Sequence, residues 1–234
     1  MIELLPHVLL WSVVTIGLFW AARRVHGRWP RRWLMPVAIT PVLVALVILC
    51  LHADYAEYLQ GTRWLLWMQG PATVAFAIPI YEQRALIRAH WRVLLVGMVA
   101  GSLVALASSW ALASALGLDD SLRRSLLPRS ISTPFAVSIS HDIGGVPGLT
   151  ALFVILTGIL GAVIGDALLA RMQGGSALAR GALFGVGAHA VGTARANQVG
   201  QTEGAVAGLV MVLVGLLHVL AAPLLVLLLG RHAI

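Results

Sequence analysis

Lysine is absent from this sequence: all 16 basic residues are arginine. Read by charge alone, a net +7 suggests a nucleic-acid binder. Only 11% of the 234 residues are charged, however, and the arginines fall between apolar runs, as expected where basic residues collect in short cytoplasmic loops. No nucleic-acid partner is indicated. Cysteine is nearly absent too. The lone Cys50 lies in an apolar run and excludes an intrachain disulfide, a four-cysteine metal site and a CxxC redox motif. No P-loop, HExxH motif, dinucleotide fingerprint or nucleophile elbow is present, so the sequence points to no enzyme, cofactor or metal.

What remains is apolar. Hydrophobic residues make up 59% of the chain and its mean hydropathy is +0.92, against about 45–50% apolar usage in soluble domains. Several runs approach the roughly 20 apolar residues that carry a helix across a bilayer. The expected fold is therefore an all-α polytopic membrane protein forming a single integral membrane domain over 1–234. Residues 1–60 read as a two-span scaffold and 61–234 as the functional core. Residues 4–22 have no basic residue before them and no small-residue cleavage site after them, and so read as a retained first span.

Hydrophobic segments recur at 4–22, 34–51, 64–81, 93–116, 126–143, 149–170, 181–199 and 204–229, about seven to eight in all. Three are irregular. The segment 64–81 is interrupted by Gly70, Pro71 and Pro79, and 126–143 by Pro128 and Pro134; 181–199 is rich in glycine and holds His189 and Arg195. These read as discontinuous helices, broken or re-entrant. Simple alternation of spans puts Arg171 and Arg180 outside, against their charge. One re-entrant segment before them removes that conflict. A weak internal repeat, in which Phe76, Ala77, Ile78 and Ile80 match Phe135, Ala136, Val137 and Ile139, pairs two of the interrupted segments, a pattern that marks binding sites in transporters.

The candidate chemistry lies in those interruptions. Gly70-Pro71-Ala72-Thr73 and Arg129-Ser130-Ile131-Ser132-Thr133-Pro134 each set a proline at a helix start, where unpaired N–H groups and hydroxyls suit an anion. The bland alternative is that proline only kinks these helices while the hydroxyls return to their own backbone. The densest polar cluster is His189, Thr193, Arg195 and Asn197. A charge at membrane depth costs at least about 2.5–3.5 kcal/mol, so Arg195 needs a partner, ligand or water. Its planar fork suits a carboxylate; the competing reading pairs it with Glu203 or lets it snorkel. Helical spacing places His189 and Thr193 on one face. Glu203, Asp142, His141 and Asp166 are candidates for proton coupling. His141 and Asp142 also fit a plain loop beside Gly144-Gly145, and His218 fits a backbone-bonded core histidine. Gly158, Gly161 and Gly165 share one helix face and read as close packing.

The stretches 128–165 (PRSISTPFAVSISHDIGGVPGLTALFVILTGILGAVIG) and 179–225, with its HAVGTARA and EGA elements, together with GPATVAFAIPIYEQ at 70–83, resemble the LrgB/CidB family. Ser132, Ala207 and His218 depart from residues common there. The resemblance implies a multi-pass bacterial inner-membrane protein and two functional readings. One is a carrier of small monocarboxylates such as glycolate, glycerate or pyruvate, proton-coupled and homodimeric. Its substrate would be held by Arg195, Thr193, His189, Asn197, Ser132, Thr133, Thr73 and Arg129. The other is an antiholin-like protein that modulates murein hydrolase activity and lysis with an LrgA-type membrane partner.

Overall fold

The computed structural model describes residues 4–29, 34–75, 77–171 and 175–229, which form helices and no strands. Four helices among them are long and apolar enough to cross a membrane: Pro6–Arg28, Arg84–Ala115, Pro147–Arg171 and Gln201–Leu229. The expected count of seven to eight segments is not matched by as many spanning helices, because the irregular segments fold into short or bent ones and the segment 34–51 forms a helix of only 15 residues. The chain divides into two units, Met1–Val74 and Ala75–Ile234.

The first unit contains α1 (Leu4–Arg28), α2 (Pro36–Cys50), α3 (Tyr55–Trp67) and most of α4 (Gln69–Ala75). Here α1 and α3 pack against each other. His7 pairs with Glu57 at 3.3 Å, and the buried Trp11 meets Tyr58 edge-on at 5.5 Å. Ser12 then accepts from the Trp64 indole at 2.8 Å. Gly61 permits this approach, since a Cβ there would fall 2.8 Å from the Trp11 ring.

The second unit holds α5 (Ala77–Glu82), α6 (Arg84–Ala115), α7 (Asp120–Leu126), a 3-10 turn (Leu127–Ser130), α8 (Thr133–Asp142), α9 (Pro147–Arg171), α10 (Ala177–Val199) and α11 (Gln201–Leu229). Its core gathers Leu94, Phe135, Ile139, Val154, Val206, Val210 and Val214 from four of these elements, with Ile131 from the link between the 3-10 turn and α8. Proline at the first turns of α8 and α9 is expected where the N–H has no intrahelical partner. Asp119 caps α7, accepting from Ser121 and Leu122. The hydrogen bond from the Ser121 hydroxyl, followed by that from the Leu122 amide, holds its carboxyl below the usual range.

Two segments turn back on themselves. The first runs from α7 through the 3-10 turn to α8. Its two ends lie together: Arg124 donates to the Ile143 carbonyl at 2.9 Å, and the Val146 amide donates to the Ser125 hydroxyl at 2.7 Å. Thr150 closes the knot with bonds to the Ser125 carbonyl and the Ser140 hydroxyl. Gly144, with φ of 77°, makes the turn into α9 that a side chain would strain.

The second is α10. At His189 the backbone takes φ 38° and ψ −121°, a region that L-residues rarely adopt. Beyond it the helix reverses so sharply that a Cβ at Gly192 would collide with the Phe184 carbonyl. Both halves then lie on the same stretch of α11. Gly181 and Gly185 face Glu203, Val206 and Ala207, while Asn197 and Thr193 face Gly204 and Gly208. The expected one-face arrangement of His189 and Thr193 is thus replaced by a reversal at His189, which a periodicity argument assuming a straight helix does not foresee.

The two hairpins enter from opposite ends. The first follows α9 from its start, with Ser125 beside Thr150 and Arg129 beside Thr157. The second follows α9 from its finish: Gly165 packs on Phe184, Gly161 on the Gly187 carbonyl, and Gly158 on the His189 ring. The glycine stripe read from the sequence is the groove that receives α10. Thr157 stands ten residues into α9, about 15 Å at 1.5 Å per residue, half of the roughly 30 Å hydrocarbon layer. Both tips therefore meet near mid-depth. Because 120–142 re-enters instead of crossing, Arg171 and Arg180 fall at the same end as Arg84, Arg88 and Arg92, and the topological conflict disappears.

Candidate functional site

Arg129 sits in the 3-10 turn at the tip of the first hairpin. Its Nε donates to the Ser109 hydroxyl of α6 at 2.9 Å and its Nη1 to the Thr157 hydroxyl of α9 at 3.4 Å. Both partners are neutral. The guanidinium, half-buried, makes no ion pair among the described residues. It lines a cavity of about 340 Å³ with Thr157, Gly161 and Gly165 of α9 and Leu183 and Gly187 of α10. Both hairpins thus contribute walls to one space.

Two further polar groups near the tips lack partners. Ser132 forms the N-cap position of α8, but its hydroxyl makes no capping bond and is buried without a hydrogen bond. The His189 ring, 2% exposed, lies over Gly158 and is turned towards the Val154 carbonyl, and its Nε2 is also unpartnered. Buried polar atoms without a hydrogen bond are not confined to the tips, since Trp11 Nε1, Thr40 Oγ1 and Ser102 Oγ are also unpartnered, and neither Ser132 nor His189 lines the Arg129 cavity.

The structure parts the other expected residues from this site. Arg195 reaches away from it: Nε donates to Asp166 of α9 at 2.7 Å and Nη1 to Gln198 at 2.7 Å. Its fork is committed to a carboxylate within the chain, though not to Glu203. That residue pairs with Arg180, which donates to one carboxylate oxygen from Nε at 3.0 Å and Nη2 at 2.6 Å. The two ion pairs clamp the halves of α10 to α9 and α11, so Asp166 and Glu203 have a structural employment. Thr193 gives its hydroxyl proton to the His189 carbonyl at 2.9 Å, and Asn197 donates to the Thr193 carbonyl at 3.0 Å. Both bonds return to the backbone of α10 four residues back. His141 and Asp142 are exposed neighbours 3.4 Å apart that end α8, where the plainer reading expected a loop. Thr133 opens α8 beside Ser132. The side chain of Thr73 lies outside the described residues, and Pro71 belongs to the other unit. His218 bonds the Val214 carbonyl at 2.9 Å, as a core histidine does.

Sequence reasoning missed Ser109 and Thr157. The only local signal was a hydroxyl set beside a glycine stripe within an otherwise apolar span. Among the described residues no cluster of His, Cys, Asp and Glu is arranged to hold a metal.

An apolar α-helical bundle with two opposed half-depth hairpins is the architecture of an integral membrane protein. The sequence pattern of the LrgB-like family matches residues 15–228, and the chain belongs to that family. It is 35% identical over 212 residues to the uncharacterized protein YwbG of Bacillus subtilis, covering 91% of this chain and 94% of that one. It is 29% identical over 220 residues to the holin-like protein CidB of Staphylococcus aureus, covering 94% and 96%. With the antiholin-like protein LrgB of Bacillus subtilis it shares 32% over 196 residues, covering 82% and 85%. The last two names speak of a holin and an antiholin, and none of the three of carboxylates. No solved structure matches the chain.

Proposed function

We propose that the chain is an antiholin-like protein of the bacterial inner membrane that modulates murein hydrolase activity and lysis together with an LrgA-type partner. Near-full-length similarity to proteins named holin-like CidB and antiholin-like LrgB supports this reading. The arginine-rich end, with Arg84, Arg88, Arg92 and Arg171, is then the cytoplasmic one. Deleting the gene should change the rate of detergent-induced autolysis and the murein hydrolase bands on a zymogram, with recovery on complementation. Identical lysis curves with and without the gene sink the proposal. Affinity purification from mild detergent tests the LrgA-type partner and a homodimer at once.

A second reading is supported by one geometric observation: an arginine without an acidic partner stands where two opposed hairpins meet. Discontinuous helices that meet near the midplane are where secondary carriers bind substrate. We infer that the site takes a small monocarboxylate, glycolate and glycerate being the first to try, with transport coupled to protons. Proteoliposomes should take up labelled glycolate saturably and faster under an inward proton gradient, and Arg129→Ala should abolish uptake. Lysis control without saturable uptake leaves only the first reading.

A further inference from the structure

We propose that the outer side of α9 is a docking surface for a transmembrane helix of a second, different protein, which brings a carboxylate midway along its length to Arg129. This deepens the antiholin-like reading and rests on it for the partner's role in lysis.

Exposure is the first observation. Leu152, Leu156, Leu160, Ile164 and Leu168 recur at every fourth residue, and each is 41–60% exposed. They form one continuous ridge about 24 Å long at 1.5 Å per residue, the kind of i, i+4 row that packs into the groove of a neighbouring helix. Leu160, Ile164 and Leu168 are also one bank of the groove that Arg129 lines, and Leu183 and Gly187 of α10 are the other. An apolar ridge alone needs only acyl chains beside it, because lipid is as apolar as leucine and gives helices no hydrophobic reason to associate.

Charge is what acyl chains cannot satisfy. The half-buried Arg129 guanidinium opens onto this groove near mid-depth, bonded to two neutral hydroxyls and to no carboxylate among the described residues. An arginine at that depth is costly, and so is a carboxylate within a spanning helix. Pairing them relieves both, and the unused N–H groups on Nη1 and Nη2 suffice for a bidentate bond. A lipid phosphate lies about 15 Å away, at the edge of the hydrocarbon layer. Because the groove is open along its side, the occupant must also cover the ridge, which a helix does and a small anion does not. A second copy of this chain has no carboxylate to offer there. Asp54, Glu57, Glu82, Asp119, Asp120 and Asp142 stand at helix ends, and Asp166 and Glu203 are held by Arg195 and Arg180. The acid comes from a different chain.

The test uses the purified full-length protein in phosphatidylcholine vesicles, with an acceptor dye on Asp142→Cys in a Cys50→Ser background. The probe is a donor-labelled leucine-alanine peptide of about 20 residues with glutamate, glutamine or leucine at its centre. The glutamate peptide should give saturable energy transfer at neutral pH, and the other two should need at least about tenfold more peptide. Arg129→Gln should erase the preference for glutamate. So should Leu160→Glu, which sets a carboxylate in the groove with Arg129, whereas Arg84→Gln should keep it. The Leu160 variant decides the matter if Arg129→Gln fails to fold. Equal binding of the three peptides, or a glutamate preference that survives both groove variants, overturns the proposal. Displacement of the glutamate peptide by phosphatidylglycerol or by excess glycolate also overturns it, making a lipid phosphate or a small solute anion the occupant. A glutamate preference with autolysis unaffected by gene deletion sinks the antiholin-like reading and leaves the docking surface standing. Altered autolysis with all three peptides bound alike does the reverse.

Discussion

The Arg129 guanidinium reaches the Thr157 hydroxyl at 3.4 Å, and the next residue of α9, Gly158, lies under the His189 ring. Two hairpins that enter from opposite ends thus touch adjacent positions on one helix. Neither tip is supported by its own segment alone: each depends on α9 for a hydroxyl or for the space left by a missing side chain.

Opposed re-entry has a topological consequence. In a Cys50→Ser background, single cysteines at Asp120 and Asp142 should both react with an impermeant maleimide from one side of sealed vesicles. Cysteines at Ser176 and Val199 should both react from the other side. All four positions are exposed. Labelling of Asp120 and Asp142 positions from opposite sides would mean that 120–142 crosses the membrane.

Gly161 and Gly97 offer a matched pair. A Cβ at Gly161 would overlap the Gly187 carbonyl, a backbone atom that cannot swing aside, whereas nothing lies within 4 Å of one at Gly97. Gly161→Ala should cost about 1–3 kcal/mol through overpacking, and Gly97→Ala should be neutral or stabilise by up to about 1 kcal/mol. Thermal unfolding in detergent reads both, and equal midpoints would remove the groove argument.

At His189 the backbone and the ring can be separated. His189→Gly and His189→Ala both delete the imidazole, but only glycine tolerates φ of 38° without strain. The glycine variant should therefore be the more stable by about 1–2 kcal/mol. An alanine variant equal to it would show that the reversal relaxes once the ring is gone.

The Arg195–Asp166 pair is expected to hold structure. A double-mutant cycle with Arg195→Gln and Asp166→Asn should give a coupling of about 1–3 kcal/mol in unfolding free energy. That is less than a fully buried pair gives, since the Arg195 side chain is 33% exposed to solvent screening. Additive single-mutant effects would show that the two side chains do not support each other.

Much of the frame was legible beforehand. Glycines at 158, 161 and 165 recur at helical spacing, and that regularity alone announces a close-packed face. His218 on an apolar helix could be read as backbone-bonded because a buried imidazole in such a span has few other partners. The arginine clusters required one re-entrant segment before Arg171, and 120–142 supplies it. Arg195 was less legible. Its need for a partner was apparent, but its carboxylate stands 29 positions away on another helix, and nothing in the local pattern favours Asp166 over Glu203.

By itself the sequence determined the solvent of this protein and the places where its helices break, because hydropathy, proline and glycine act over a few residues and can be summed along the chain. Tertiary structure alone decided which of Arg129, Arg180 and Arg195 stands without a carboxylate partner among the described residues. Arg195 and Arg180 are equally basic by composition, yet folding sets each beside a carboxylate and leaves Arg129 against two hydroxyls. Charge pairing is a property of distances between segments remote in sequence, and only the packing of two reversed hairpins on α9 and α11 fixes those distances.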